Sequence, residues 1–269
     1  MRIKHAIIVA KIHPKELWHY PRLPHREVLK KVCAHLQERR ITYQVIDRKN
    51  LRLKTGKKLK ADILITVGGD GTVLTTSHYA GDIPILGLNS SPKTSTGFFC
   101  LATPPTFKKI LDNILLGRRR VQKIPRLKVW IGSKRVPFLV LNEALYANLL
   151  PGDTARYLLC VKHRKELQKS SGVWVATGAG STAAIYSAGG KRIPMTSPKI
   201  QFRVREPFSY PKKTCKLTHG FLTTRQKLKI TAQSGNAMIF LDGHALKIPV
   251  PQETIVSFQG GATPIKIFL

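Results

Sequence analysis

The hydrophobic positions of this chain fall into two textures. Over roughly the first hundred residues, short continuous apolar runs alternate with stretches of helical spacing. The runs Ala6–Ala10, Tyr43–Ile46, Ile63–Val67 and Ile83–Leu88 read as strands, and the third is apolar enough to be expected buried on both faces. Between the first two, Val28, Leu29, Val32, Cys33 and Leu36 recur at helical intervals, which predicts an amphipathic helix over Pro24–Arg39. Another helix is predicted over Pro105–Leu116, with Gly117 as its stop. Beyond the basic, breaker-containing stretch Arg118–Arg120 and Pro125, short strand-like runs separated by Gly, Pro, Ser and Asp take over: Lys128–Ile131, Phe138–Leu141, Tyr157–Val161, Val173–Ala176, Ile200–Val204, Leu228–Ala232 and Met238–Leu241. The expected fold is an α/β N-terminal domain, a parallel sheet with flanking helices over 1–117, followed by a β-rich C-terminal domain over 118–250.

Composition narrows the classes. A chain of 269 residues with 42% hydrophobic positions is neither disordered, collagenous nor coiled coil, and fits one large or two small domains. Runs such as Ala61–Val67 and Val136–Leu141 fall far short of the ~20 residues that span a bilayer. Ala6–Ala10 is followed at once by Lys11, so a signal peptide's apolar core is missing and a cytoplasmic protein is expected. The four cysteines, Cys33, Cys100, Cys160 and Cys215, are far apart and form neither a zinc pair nor a disulfide framework. With 46 Lys and Arg against 14 Asp and Glu, the net charge is +32. That field favours anionic partners: nucleic acid, an acidic membrane surface or phosphorylated small molecules. The charged stretch Lys54–Lys60 reads as a solvated loop.

The sharpest chemical feature is Val67-Gly68-Gly69-Asp70-Gly71-Thr72, a glycine-rich turn between a buried strand and the helix-forming stretch Val73–Ala80. Such a turn brings backbone N–H groups and the positive end of a helix dipole up to a phosphate. Asp70 adds a carboxylate where an anion binds, which suggests a proton-transfer role; the alternative is a helix cap worth ~1 kcal/mol. Asn142 and Glu143, at the end of the run Phe138–Leu141, can take ribose hydroxyls, with Glu143 accepting; a surface turn is the plain alternative. Thr177-Gly178-Ala179-Gly180-Ser181-Thr182-Ala183-Ala184 again leads from an apolar strand through glycines and hydroxyls, either as a nucleotide-accommodating turn or as a tight turn capped by Ser181. Asp242-Gly243 is either a hairpin turn or a site carboxylate that orients a ribose or holds metal, and His244 beside it can donate to a phosphate.

In this order and spacing, Gly68–Thr72, Gly87-Leu88-Asn89, Asn142-Glu143, Gly178–Ala184 with Ser187-Ala188-Gly189-Gly190, and Asp242-Gly243 resemble the NAD kinase family over roughly residues 60–245. The Gly-Gly-Asp-Gly-Thr signature is shared with lipid kinases. In those, however, an Asn-Glu pair follows the turn directly, where this chain has Val73–Thr76. The stretch Asn89–Gly97 is similar to that of the mitochondrial-type animal enzymes and their bacterial relatives. Ala179, Ala184 and Ser171 depart from the family pattern.

The resemblance implies transfer of the γ-phosphate of ATP, bound with Mg²⁺ or another divalent cation, to the 2′-hydroxyl of the adenosine ribose of NAD. In that scheme Asp70 accepts the proton; Gly68, Gly69, Gly71, Thr72 and Asn89 shape the phosphate site; Asn142, Glu143, Thr182, Ala183, Ala184 and Ser187 bind the dinucleotide, with Ser181, Asp242 and His244 as further candidates; no metal is held by side chains alone. The resemblance also implies a site in the cleft between the domains, residues 251–269 returning to the first domain, and a homodimer or homotetramer. The competing readings are a lipid or other small-alcohol kinase using the same Asp70 turn, and an inactive, basic nucleic-acid-binding protein. No RNP strand, zinc-finger spacing or helix-turn-helix is present, and at 7% aromatics a stacking platform is not expected. Nucleic acid is therefore not expected as a specific partner, and no membrane span is expected.

Overall fold

The computed structural model describes residues 2–12, 24–54, 59–208 and 215–269. They fall into two units, residues 1–123 with 265–269 and residues 124–264. Each unit folds around an apolar core. Residues 55–58 of the charged stretch lie outside the described residues.

The first unit runs β1 (His5–Ala10), α1 (Pro24–Glu38), β2 (Thr42–Asp47), a 3₁₀ turn (Arg48–Lys54), β3 (Ile63–Gly68), α2 (Asp70–Ser77), β4 (Ile85–Asn89) and α3 (Phe107–Leu115). The strands are parallel in the order β2-β1-β3-β4. At the chain end, Ile267 and Phe268 pair in parallel with Ile85 and Leu86. Every residue of β3 is buried, as its continuous apolar run predicts. Alternation along the strands gives one sheet face to Ala6, Ile8, Ile63, Ile65 and Leu88, which share a core with Val32 and Leu36 of α1 and Phe107, Ile110, Leu111 and Ile114 of α3. Helix α2 starts three residues before the stretch predicted for it. Two of its buried hydroxyls bond back along the helix, Thr76 Oγ1 donating to the Thr72 carbonyl at 2.8 Å and Ser77 Oγ to that of Leu74 at 2.7 Å, whereas the buried Thr72 Oγ1 has no partner among the described residues. The register Gly68↔Asn89 brings the ends of two neighbouring parallel strands together, the place where such sheets carry ligands.

The second unit contains most of β5 (Val121–Ile131), then β6 (Lys134–Arg135), β7 (Glu143–Asn148), β8 (Ala155–Val161), β9 (Arg164–Ser170), β10 (Gly172–Ala176), the short α4 (Ala184–Ser187), β11 (Ile200–Arg205), β12 (His219–Leu222), β13 (Leu228–Ala232), β14 (Ala237–Leu241), β15 (Leu246–Val250) and the first part of β16 (Ile255–Phe268). One antiparallel sheet has the order β12-β11-β10-β7-β14-β15. A second group pairs β16, β13, β8 and β9 antiparallel, with β5 joined to β16 and β6. Their facing sides share one core, in which Tyr146 of β7 meets Tyr157 of β8 edge to face at 5.3 Å.

One predicted strand is absent. Phe138–Leu141 is not a strand; only Val140 forms an isolated bridge, to Leu127. The strand begins two residues later, at Glu143, so Asn142-Glu143 opens β7 instead of closing a strand before it. The reason is visible in the hydrogen bonds, since the Leu141 N–H goes to a side chain, Asp242, and not to a neighbouring strand. Among the described residues no helix is long and apolar enough to cross a membrane.

Candidate active site

In the first unit the β3–α2 turn is built by close approach. A Cβ on Gly68 would overlap Thr72 Oγ1, and one on Gly69 would come within 2.5 Å of Ser95 Oγ, so only glycine lets the loops meet. Gly69 is the residue that precedes the helix, and no side chain caps it. Asp70 is therefore not a helix cap. Its carboxylate turns away from α2 and accepts the Phe98 N–H on Oδ2 at 2.9 Å and the Phe99 N–H on Oδ1 at 2.8 Å. Each oxygen keeps a second lone pair for a substrate proton.

Asn89 shapes the loop that follows β4. Its Nδ2 donates to the Ser95 carbonyl at 2.9 Å and its Oδ1 accepts the Ser91 N–H at 3.1 Å. The Ser90 N–H donates to the Gly68 carbonyl at 2.8 Å, and the Ser90 hydroxyl is hydrogen-bonded to His25 Nδ1. Gly68, Gly69, Asp70, Gly71, Thr72 and Asn89 thus form one cluster. The first N–H groups of a helix have no partner within it, so the start of α2 offers donors to an anion. The Arg48 guanidinium lies beside Gly71, with Nη1 3.5 Å from where a Cβ would stand. Cys100 lines the same turn; burial, with the charge of Asp70 adding to it, pushes its thiol up to about 12, so it stays protonated and unreactive.

In the second unit three distant segments converge. The Asp242 carboxylate accepts the N–H of Leu141 on Oδ2 at 2.8 Å, and those of Asn142 and Glu143 on Oδ1 at 2.6 and 3.2 Å. The Asp242 N–H returns a bond to the Glu143 carbonyl at 3.0 Å. From the other side, the Thr177 N–H donates to the Asn142 carbonyl at 2.9 Å and its hydroxyl to the Leu141 carbonyl. Gly180 presses on Asn142 so closely that a Cβ would overlap the carbonyl. Asp242 occupies a four-residue connection, Leu241 pairing with Leu246, and its own φ is 48°. It is both turn and clamp.

The clamp fixes the backbone and leaves two side-chain atoms open. Asn142 Oδ1 and Glu143 Oε2 are buried and have no hydrogen-bond partner among the described residues. Thr66 Oγ1, Thr72 Oγ1 and the Tyr146 hydroxyl share this condition; buried polar atoms are normally satisfied, so each is a candidate contact for a ligand or water. Burial and the neighbouring Asp242 charge push the Glu143 carboxyl up to about 8. Burial also pushes Asp242 up, against three N–H donors and the positive charge of Arg126. The three donors favour the charged form of Asp242, while Glu143 receives no such bond and its burial favours the protonated form. In its protonated form the Glu143 carboxyl can donate a hydrogen bond as well as accept one.

The remaining candidates surround this clamp unevenly. Ser181 caps no helix: its hydroxyl donates to the Ile193 carbonyl at 3.0 Å and accepts the Ile193 N–H at 3.1 Å. Thr182 and Ser187 are exposed, Ala183 and Ala184 half-buried, and His244 exposed in the connection that holds Asp242. Sequence reasoning gave no part to Arg48 and named Thr177 only within the glycine turn that follows β10. Of these only Thr177 carried a local signal, as a hydroxyl at a strand end before glycines. Among the described residues no three His, Cys, Asp or Glu side chains gather as a metal cage.

Comparison with known proteins agrees with this geometry. A family model described as ATP-NAD kinase N-terminal domain matches residues 22–119. The chain is 32% identical over 268 residues to an NADH kinase of Arabidopsis thaliana, covering 91% of this chain and 83% of the relative. To a probable NADH kinase of Oryza sativa subsp. japonica it is 29% identical over 267 residues, covering 91% and 81%. Its fold is that of an NAD kinase from Archaeoglobus fulgidus solved in complex with ATP, at a TM-score of 0.75 and 21% identity over 98% of this chain and 93% of that one. Yeast NADH kinase, solved with NADH, gives a TM-score of 0.77 at 17% identity over 99% and 83%. The chain belongs to the NAD kinase family of phosphotransferases.

Proposed function

We propose that the chain transfers the γ-phosphate of ATP to the 2′-hydroxyl of the adenosine ribose of NAD or NADH, giving NADP or NADPH. The observation that carries this reading is Asp70, a carboxylate held by two backbone N–H groups at the opening of a phosphate-accommodating turn. The ribose hydroxyl oxygen attacks the γ-phosphorus, the bond to the β-phosphate oxygen breaks and ADP leaves, and Asp70 accepts the hydroxyl proton. Gly68, Gly69, Gly71 and Thr72 shape the phosphate turn, and Asn89 holds the loop against it. Asn142 Oδ1 and the Glu143 carboxyl take the substrate's hydroxyl groups; Ala183, Ala184, Thr182 and Ser187 border the dinucleotide. A divalent cation such as Mg²⁺ enters as part of the ATP substrate, and no protein step runs through it. The plant relatives named NADH kinases support including the reduced dinucleotide among the acceptors.

The test is a product assay with ATP and Mg²⁺ and, side by side, NAD, NADH, diacylglycerol and a sphingoid base. The expected result is a 2′-phosphorylated dinucleotide and unlabelled lipids. Label in the lipids alone, or no dinucleotide product, overturns the reading. The same reading carries a cytoplasmic homodimer or homotetramer, which light scattering and fractionation check.

Arg48 supplies a further expectation. A cation beside Gly71 neutralises the charge gathered as the phosphoryl group moves, so Arg48→Met is expected to lower kcat/KM for ATP by about tenfold or more. The KM for the dinucleotide should change little. An unchanged ATP dependence in steady-state kinetics would remove Arg48 from the site.

A further inference from the structure

We propose that His25, at the start of α1, is a positioning residue for the phosphoryl transfer: through Ser90 it holds the segment that covers the glycine turn and fixes the Asp70 carboxylate. The inference rests on the reading of Asp70 as the proton acceptor. The segment, residues 89–99, meets the turn along its length. The Ser90 N–H donates to the Gly68 carbonyl at 2.8 Å, and Ser95 Oγ lies 2.5 Å from where a Cβ on Gly69 would stand. At its far end the N–H groups of Phe98 and Phe99 hold Asp70. Inside the segment Asn89 bonds forward to Ser91 and Ser95, and Gly97, at a φ of 66°, presses on the Asn89 amide so closely that a Cβ would overlap it. These contacts fix the two loops to each other. His25 ties the pair to a third element, because its Nδ1 is hydrogen-bonded to the Ser90 hydroxyl.

Both ends of that tie are firmly seated. His25 is the second residue of α1, three residues before Val28 and seven before Val32, which sets it on the side of the helix that packs on the sheet. Val28 and Val32 are buried in the core of the first unit with Leu36, and a close-packed core resists sliding or rotation of the helix. Ser90 is only 2% exposed, and a buried hydroxyl that loses its partner must shift or take in water. Two helices thus begin around one cluster, α1 delivering His25 and α2 delivering Asp70, with residues 89–99 bridging them. The chemical consequence follows from reach. A general base works only within hydrogen-bond distance of the proton it takes. A shift of Ser90 that passes along the segment to Phe98 and Phe99 moves Asp70 off the ribose hydroxyl, and through Gly68 it alters the phosphate turn as well.

The experiment compares His25→Ala, His25→Asn, His25→Gln, Ser90→Ala and the double variant His25→Ala/Ser90→Ala in the whole protein. His25→Ala is expected to lower kcat and kcat/KM for ATP by about tenfold to a hundredfold, with the KM for the dinucleotide within about twofold of wild type. The side-chain amide of Asn reaches as far as Nδ1 and that of Gln as far as Nε2, so His25→Asn should recover most of the loss and His25→Gln should not. Ser90→Ala should lose as much as His25→Ala, and the double variant no more than either, since two residues that act through one bond are not additive. Amide hydrogen exchange reads the same effect without turnover: Phe98 and Phe99 should exchange about tenfold faster, or more, in His25→Ala than in wild type. If His25→Ala does not fold, Ser90→Ala and His25→Gln carry these comparisons, with His25→Asn as their reference. Unchanged kcat/KM for ATP, or unchanged exchange at Phe98 and Phe99, overturns the proposal, as do losses that multiply in the double variant. A wild-type protein that phosphorylates no dinucleotide overturns the functional reading instead, and the exchange rates of Phe98 and Phe99 then decide the role of His25.

Discussion

Asp70→Asn is expected to lower kcat by about 10²–10⁴-fold while the protein keeps its fold, because a positioned general base contributes on that order. The substitution conserves shape and removes the lone pair that takes the proton. It also has a structural cost that follows from the two bonds at 2.9 and 2.8 Å. An amide offers one acceptor oxygen, so its NH₂ would face the N–H of Phe98 or Phe99, at a cost of about 1–3 kcal/mol. The two effects separate by measurement. Loss of the base lowers kcat at saturating ATP and dinucleotide; a displaced 98–99 loop raises KM and lowers Tm. Steady-state kinetics in both substrates, beside thermal unfolding, distinguishes them. If kcat of Asp70→Asn stays within tenfold of wild type, Asp70 is a strut for the loop and not the proton acceptor.

The first unit was legible because its signals are local. A buried parallel strand is a continuous apolar run, and Ile63–Val67 reads as one without any knowledge of its neighbours; α3 likewise shows its core face in Phe107, Ile110, Leu111 and Ile114. The second unit was legible only in part. Phe138–Leu141 looks more strand-like than Glu143–Asn148, yet the second forms the strand, because a carboxylate about a hundred residues away in sequence takes the N–H groups of the first segment's end. The polar strand β9 escaped notice for a different reason: it lies at the edge of its sheet and carries Arg164, Lys165 and Lys169, where charge discourages further pairing. The long β16 is interrupted in pattern by Gly260, Gly261 and Pro264. At the site, the residue types were readable but not their division of labour. Sequence shows Asp242 and Glu143 as two acids; only the structure shows that three N–H donors converge on Asp242 while Glu143 Oε2 is buried without a partner.

That division has a consequence for stability with a definite sign. The ordinary Glu value is 4.5, and in the folded protein the Glu143 carboxyl is raised to about 8. Below the ordinary value the group is protonated whether the chain is folded or not, and its burial carries no ionisation penalty. As pH rises above it, the unfolded chain releases the proton while the folded protein keeps it, so this contribution to stability is lost progressively up to about 8 and is constant beyond. Glu143→Gln removes the titration. The variant is expected to match wild type in stability near pH 4 and to exceed it by a few kcal/mol, roughly, between pH 7 and 8. Denaturant unfolding across that range measures the difference. Because an amide donates as the protonated carboxyl does, Glu143→Gln should also keep the dinucleotide KM within about threefold of wild type, whereas Glu143→Ala, which leaves the subsite without a donor, should raise it about tenfold or more. Should Glu143→Gln instead lose as much affinity as Glu143→Ala and show no gain in stability toward pH 8, the working form is the carboxylate, and the proton assigned to Glu143 belongs to Asp242.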